Sequence, residues 1–150
     1  MVTFESIAAM RECVGEELGT SAWHEVTQER IDAFATATED FEDIHVDPER
    51  GRQRGLGGTV AHGLYTLSLG PKFLYELYSM RGYSLALNYG YDRVRWLTPV
   101  PANGRIRMTA TLTGAKDIPG GTRFTLTQTF ELEGVDKPAC VAESVVAYFD

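Results

Sequence analysis

Leu64-Tyr65-Thr66-Leu67-Ser68-Leu69-Gly70-Pro71-Lys72-Phe73-Leu74-Tyr75-Glu76-Leu77-Tyr78-Ser79-Met80 is the most apolar stretch of this 150-residue chain. Drawn at helical pitch, it places apolar residues on nearly every side. That predicts a helix buried all round, not one lying on a surface. Gly70-Pro71 predicts a kink, because proline removes a backbone hydrogen bond and its ring crowds the preceding turn. With Pro71, Lys72 and Glu76 inside it, the stretch falls short of a membrane span.

Downstream of that helix the hydrophobic period changes to two. Ile106, Met108, Ala110 and Leu112 alternate with Arg107, Thr109 and Thr111; Phe124, Leu126, Phe130 and Leu132 alternate with Arg123, Thr125, Thr127, Thr129 and Glu131. These are half-buried strands joined by a turn at Pro119-Gly120-Gly121. Two more strands are expected at about residues 85–97 and 139–149. Upstream, Ile31, Phe34, Ala35 and Thr38 fall at helical spacing behind Thr27, a ready N-cap, so residues 29–38 read as an amphipathic helix. Pro48 suits the first turn of a short helix. Helices followed by a run of antiparallel strands make the class α+β. One apolar helix beside such a sheet predicts that the sheet wraps the helix, as in a hotdog fold. No repeat or linker divides the chain, so residues 1–150 read as one domain.

Composition narrows the function. Fourteen Lys and Arg against 21 Asp and Glu give a formal charge of −7, the wrong sign for a sequence-independent nucleic-acid binder. The two cysteines, Cys13 and Cys140, imply no disulfide framework. The first ten residues lack a basic segment ahead of an apolar run, so no secretory signal is expected there, and the chain reads as soluble and cytoplasmic.

Chemistry has few places to reside, because the only histidines are His24, His45 and His62. His24 sits in an expected strand beside Trp23 and reads as structural. Asp40 and His45 share the loop after the first clear helix, where a carboxylate and an imidazole can contact one water as an acid–base pair. Asp40, Glu42, Asp43 and His45 also form a possible divalent-ion set, but their spacing fits no standard loop, so neither metal nor cofactor is expected. The glycines at 55–58 lack the spacing of a dinucleotide fingerprint, and Leu64 and Tyr65 stand where a P-loop needs Lys and Ser or Thr. They suit a tight turn.

The string Thr38-Glu39-Asp40-Phe41-Glu42-Asp43-Ile44-His45-Val46-Asp47-Pro48 resembles the hydratase motif of MaoC-like, R-specific enoyl-CoA hydratases. Gly57-Gly58-Thr59-Val60-Ala61-His62-Gly63-Leu64 resembles that family's entry into its central helix. The flanking segments 14–23, 26–32 and 88–96, with Pro99-Val100-Pro101, are similar to the branch around nodulation protein N. The resemblance covers nearly the whole chain. It implies a hotdog homodimer or higher homo-oligomer acting on acyl-CoA or acyl-carrier-protein thioesters. Asp40 and His45 fall on the catalytic positions, and Gly63 on the one whose backbone N–H polarises the thioester carbonyl. His62 lies beside Gly63 and reads either as a packed, hydrogen-bonded histidine orienting the helix start or, with Arg93 and Arg95 on one strand face, as a candidate substrate contact. Arg50, Arg52 and Arg54 form a second cationic group that could meet a nucleotide.

The reaction so implied is reversible addition of water to a trans-2-enoyl thioester, giving the R-3-hydroxyacyl thioester. One departure stands out: where the family commonly has Asn-Pro, this chain has Glu42-Asp43. That substitution keeps a second reading open, a catalytically degenerate acyl-binding module. A third is a hotdog thioesterase, for which Glu76 is the one acid available on the central helix.

Overall fold

The computed structural model describes residues 1–150. Its N-terminal part is a set of short elements: β1 (Val2–Phe4), α1 (Ile7–Glu12), β2 (Glu17–Thr20) and β3 (His24–Val26). Next comes α2 (Gln28–Thr38), whose Thr27 side chain accepts from the Arg30 N–H, the expected N-cap. It ends at Glu39 in the left-handed region (φ 61°, ψ 21°), a conformation unfavourable for a residue with a Cβ. That sharp exit throws the chain into the acidic loop. Two short helices follow, α3 (Asp43–Val46) and α4 (Pro48–Gln53), the latter capped by Asp47, whose carboxylate accepts from the Glu49 and Arg50 N–H groups.

The apolar stretch forms α5 (Gly63–Ser68) and α6 (Gly70–Leu77), interrupted only at Leu69, whose backbone stays in the right-handed helical region (φ −76°, ψ −10°), so the expected kink falls there. It is not buried all round, however. Leu64, Ser68, Lys72 and Tyr75 form an exposed stripe at helical spacing, with Tyr75 77% exposed. The opposite face carries Tyr65, Leu67, Phe73 and Leu77 into the core. The stretch also ends earlier than its composition suggests. Tyr78–Met80 is β4, paired in parallel with β1.

Then come β5 (Leu85–Trp96), β6 (Gly104–Ile118), β7 (Gly121–Leu132) and β8 (Cys140–Phe149). The main sheet has the order β2-β6-β7-β8-β5, with β3 also pairing with β6. Its neighbours all pair antiparallel. Alternation is complete along β7: every second residue from Thr122 to Leu132 is buried. The buried side chains of β6, β7 and β8 pack on α5 and α6 in one contiguous core that includes Phe73 and Phe130, whose ring centroids lie 6.2 Å apart. Each such side chain contributes roughly 1.5–3 kcal/mol by leaving water. A curved antiparallel sheet around a central helix is the hotdog architecture expected. The edge strand β5 departs from the others: Leu85, Leu87, Tyr89 and Trp96 are all more than 40% exposed. No helix is long and apolar enough to cross a membrane.

Candidate active site

Three segments converge near the start of α5. The α2–α3 loop brings Asp40, α3 brings His45, and residues 59–63 bring His62 and Gly63. The segments are tied together by backbone and side chain. Val60 N–H donates to Ile44 C=O at 3.1 Å, and the Gln28 side-chain amide donates to His45 C=O at 2.8 Å while its oxygen accepts from Thr59 Oγ1.

His45 Nδ1 lies 2.7 Å from Val60 C=O. A carbonyl only accepts, so Nδ1 carries the proton, and Nε2 of the neutral ring presents a lone pair. Asp40 is held by its backbone. Its C=O accepts from His62 Nε2–H at 3.0 Å, and its Oδ1 receives the Glu42 N–H at 3.4 Å. The carboxylate itself remains half exposed. One donor atom from each of Asp40, His45 and His62 lies within 4.8 Å of the other two. A water bonded to two groups at ordinary distances of about 2.8 Å spans partners up to roughly 5.6 Å apart. Asp40 and His45 are therefore close enough to hold one water. The same trio could take a cation, and it is not the set suggested by spacing, since Glu42 and Asp43 point elsewhere.

His62 takes the packed, hydrogen-bonded place that is one of its two sequence readings, and not the other. It is 2% exposed, too buried to serve as a substrate contact. Its ring stacks on His45 with centroids 3.8 Å apart and planes 26° apart, and tilts against Phe34 at 5.0 Å. It therefore touches both Asp40 and His45, and its remaining ring nitrogen, Nδ1, is buried without a partner. Gly63 opens α5 with no side-chain cap on its first turn, so its N–H is one of the free donors of a helix start. A Cβ there would meet three indole atoms of Trp96 at 2.7–2.9 Å. The Gly63 backbone forms one wall of a cleft of about 200 Å³ shared with Thr66, Trp96 and Leu97.

The charged residues sort differently from the sequence expectation. Arg54 reaches Asp43 at 3.2 Å and Glu42 at 3.7 Å, Arg50 reaches Asp43 at 3.9 Å, and Arg52 pairs with Glu49 at 3.0 Å. The cationic group suggested for a nucleotide is thus occupied in neutralising the acidic loop. Gly51 is buried against the glycine turn, where a Cβ would lie 1.9 Å from the Gly58 carbonyl oxygen. Arg93 and Arg95 are exposed on β5. They alternate with Val94 and Trp96 and so face away from Gly63. Glu76 spends its carboxylate on Lys72 at 2.6 Å and on the Ala22 N–H at 2.9 Å. The Lys72 hydrogen bond holds it below the usual carboxylate range. It is therefore poorly placed for thioester hydrolysis. His24 is buried against Tyr65, with Nε2 3.2 Å from the phenol oxygen, and burial lowers its pKa from 6.5.

Sequence reasoning passed over Gln128. The run Phe124, Leu126, Phe130, Leu132 skips one position, and Gln128 fills it on the buried face at 1% exposure. The gap in the alternation was the available signal.

Comparison with known proteins places this geometry in context. The family model described as "MaoC like domain" matches residues 10–133. The chain is 47% identical over 149 residues to 3-hydroxyacyl-thioester dehydratase Z of Mycobacterium tuberculosis, covering 99% of both chains. It is 38% identical to nodulation protein N of Rhizobium leguminosarum bv. viciae, covering 97% of this chain and 92% of that one. Among solved structures, a monoamine oxidase regulatory protein from Archaeoglobus superposes with a TM-score of 0.83 at 20% identity, covering 99% of this chain and 96% of that one. The (R)-hydratase from A. caviae superposes at 0.70 and 22%, covering 87% and 96%. At those identities the structures speak to the fold.

Proposed function

This chain belongs to the MaoC-like dehydratase family, and we propose that it interconverts a trans-2-enoyl thioester and the R-3-hydroxyacyl thioester. The observation that carries the reading is the pairing of a half-exposed Asp40 carboxylate with a His45 ring whose tautomer is set by Val60 C=O. In hydration, the pair holds one water over the double bond. The water oxygen adds to C3 as one of its protons passes to the pair, and a proton is returned to C2 on the same face. Negative charge gathers on the thioester oxygen, where the Gly63 N–H stabilises it. Dehydration runs the same steps backward.

The thioester is carried on coenzyme A or acyl carrier protein. Arg93 and Arg95, free of ion pairs within the chain, are the candidates for its phosphates. The exposed apolar edge of β5 supports a homodimer paired along that strand, since an open edge is a liability that pairing removes. The test is loss of enoyl-thioester absorbance with crotonyl-CoA and a longer trans-2-enoyl-CoA. Asp40→Asn and His45→Gln should each remove most turnover from folded protein. Near-normal rates in either variant would sink the assignment, and thiol release from saturated acyl-CoA would favour hydrolysis.

A further inference from the structure

The helix that carries His45, α3, has four residues and no side-chain cap at its start. A single turn is too short to be stable on its own. Two of its carbonyls are taken up by donors from outside the helix. Ile44 C=O accepts from the Val60 N–H at 3.1 Å, and His45 C=O accepts from Gln28 Nε2 at 2.8 Å. The position of His45 in the site therefore depends on groups that α3 does not itself supply.

Gln28 is the first residue of α2, and every part of its carboxamide is used. One Nε2 hydrogen goes to His45 C=O and the other to Asp32 Oδ1, at 2.7 Å. A carbonyl and a carboxylate only accept, so these two neighbours fix the orientation of the amide and turn Oε1 toward Thr59. Thr59 is 5% exposed and donates its hydroxyl there. Its backbone continues into Val60, whose C=O receives His45 Nδ1–H at 2.7 Å. The hydrogen bonds thus close a ring that runs from His45 C=O through Gln28, Thr59 and Val60 back to the His45 imidazole. Residues 59–61 are fixed in turn: Thr59 C=O accepts the Ala102 N–H at 3.0 Å, and the Ala61 N–H donates to Val100 C=O at 2.8 Å.

Resting on the hydratase reading above, we propose that Gln28 and Thr59 are positioning residues for the reaction. They clamp α3 against residues 59–60, so that His45 keeps its proton on Nδ1 and its lone pair on Nε2. Which imidazole nitrogen carries the proton is set by the hydrogen bond that the other one makes or lacks. Without the clamp, His45 C=O loses its donor, and α3 is left to pivot about the single bond from the Val60 N–H to Ile44 C=O. Nδ1 then parts from Val60 C=O, and the proton is free to move to Nε2. A ring with its proton on Nε2 has no lone pair there to accept a proton from the water.

The test joins crotonyl-CoA kinetics to nitrogen-15 NMR of histidine-labelled protein at alkaline pH, with the His45 ring signals assigned by their loss in His45→Gln. Wild type should show a protonated Nδ1 and a bare Nε2. Gln28→Met keeps the length of that side chain without its hydrogen bonds. Thr59→Val keeps the shape of Thr59 without its hydroxyl, so either variant serves if the other fails to fold. Each should show both tautomers at His45 and lower kcat about 10- to 100-fold, with KM near wild type. Thr59→Ser keeps the hydroxyl and should match wild type in both readouts. A lowered Tm or a lowered kcat with the ring nitrogens unchanged overturns the proposal, and so does a protonated Nε2 in wild type. Two tautomers in Gln28→Met, from a wild type that hydrates no enoyl thioester, would overturn the catalytic reading and leave the positioning of His45 standing.

Discussion

His62 is the residue on which the site's geometry can be tested most sharply. It is buried, donates Nε2–H to Asp40 C=O at 3.0 Å, and lies face to face with His45 at 3.8 Å. Replacing it by Phe keeps an aromatic ring on His45 and loses the hydrogen bond, a net cost of about 1 kcal/mol. Replacing it by Ala also removes the ring. Aromatic-to-alanine changes in cores cost about 3–5 kcal/mol, and the smaller imidazole belongs at the lower end. Catalysis should suffer separately from stability. Groups that orient a reacting side chain typically contribute 10- to 100-fold, and a misplacement near 1 Å costs on the order of 100-fold. We therefore expect kcat for crotonyl-CoA hydration to fall about 10-fold in His62→Phe and about 100-fold in His62→Ala. KM should stay close to wild type, because substrate does not reach a residue this buried. Both constants are to be measured well below each variant's Tm. A lowered Tm with unchanged kcat would make His62 a packing residue only. A raised KM with unchanged kcat would restore it as a substrate contact and refute the reading from burial.

Three further outcomes follow from other parts of the molecule. Gly63→Ala keeps the backbone N–H but puts a methyl within 2.7–2.9 Å of the Trp96 indole; the displaced donor should lower kcat on the order of 100-fold, while Tm moves little because the half-exposed indole can swing outward. Wild-type turnover in that variant would show that close packing on Trp96 is not what positions the Gly63 N–H. Burial, then the charges of Arg30 and Lys72, hold His24 below its ordinary pKa of 6.5. The unfolded chain thus takes up its proton first, and stability should fall as the pH drops from about 6.5 toward 5. Urea unfolding of wild type and His24→Gln checks this, since equal slopes would show that His24 does not contribute. Glu42→Asn with Asp43→Pro should keep turnover within about tenfold of wild type. Both side chains turn toward Arg50 and Arg54, and position 43 opens α3, where proline is tolerated. A collapse in turnover would mean that the acidic pair serves the reaction directly.

The sheet, the kinked helix and the Thr27 cap were all legible because each rests on a local rule: alternation along β6 and β7, Gly70-Pro71, and a threonine ahead of an apolar helical face. The parts that escaped depend on contacts between distant residues. The parallel pair of Val2–Phe4 with Tyr78–Met80 is one, since three-residue strands carry no periodicity to read. The exposed stripe of α5 and α6 is another: Leu64 and Tyr75 are apolar, and only the fold shows that no part of their own chain covers them.

The charges of the 39–54 region show most plainly how sequence and structure divide the problem. As text, the acidic run looks like a crowd of like charges and the arginines after it like an anion site, two features each awaiting an external partner. In space they are one feature, with Arg50 and Arg54 folded back on Glu42 and Asp43. Each exposed pair contributes at most about 1 kcal/mol. Their consequence is one of direction: the flanking carboxylates are drawn outward, while Asp40 alone is tethered to the histidine side through its backbone and His62. The side chains of Glu42 and Asp43 are thereby turned away from the acid–base pair, while the Glu42 N–H still bonds Asp40 Oδ1, so the altered loop is compatible with an intact site.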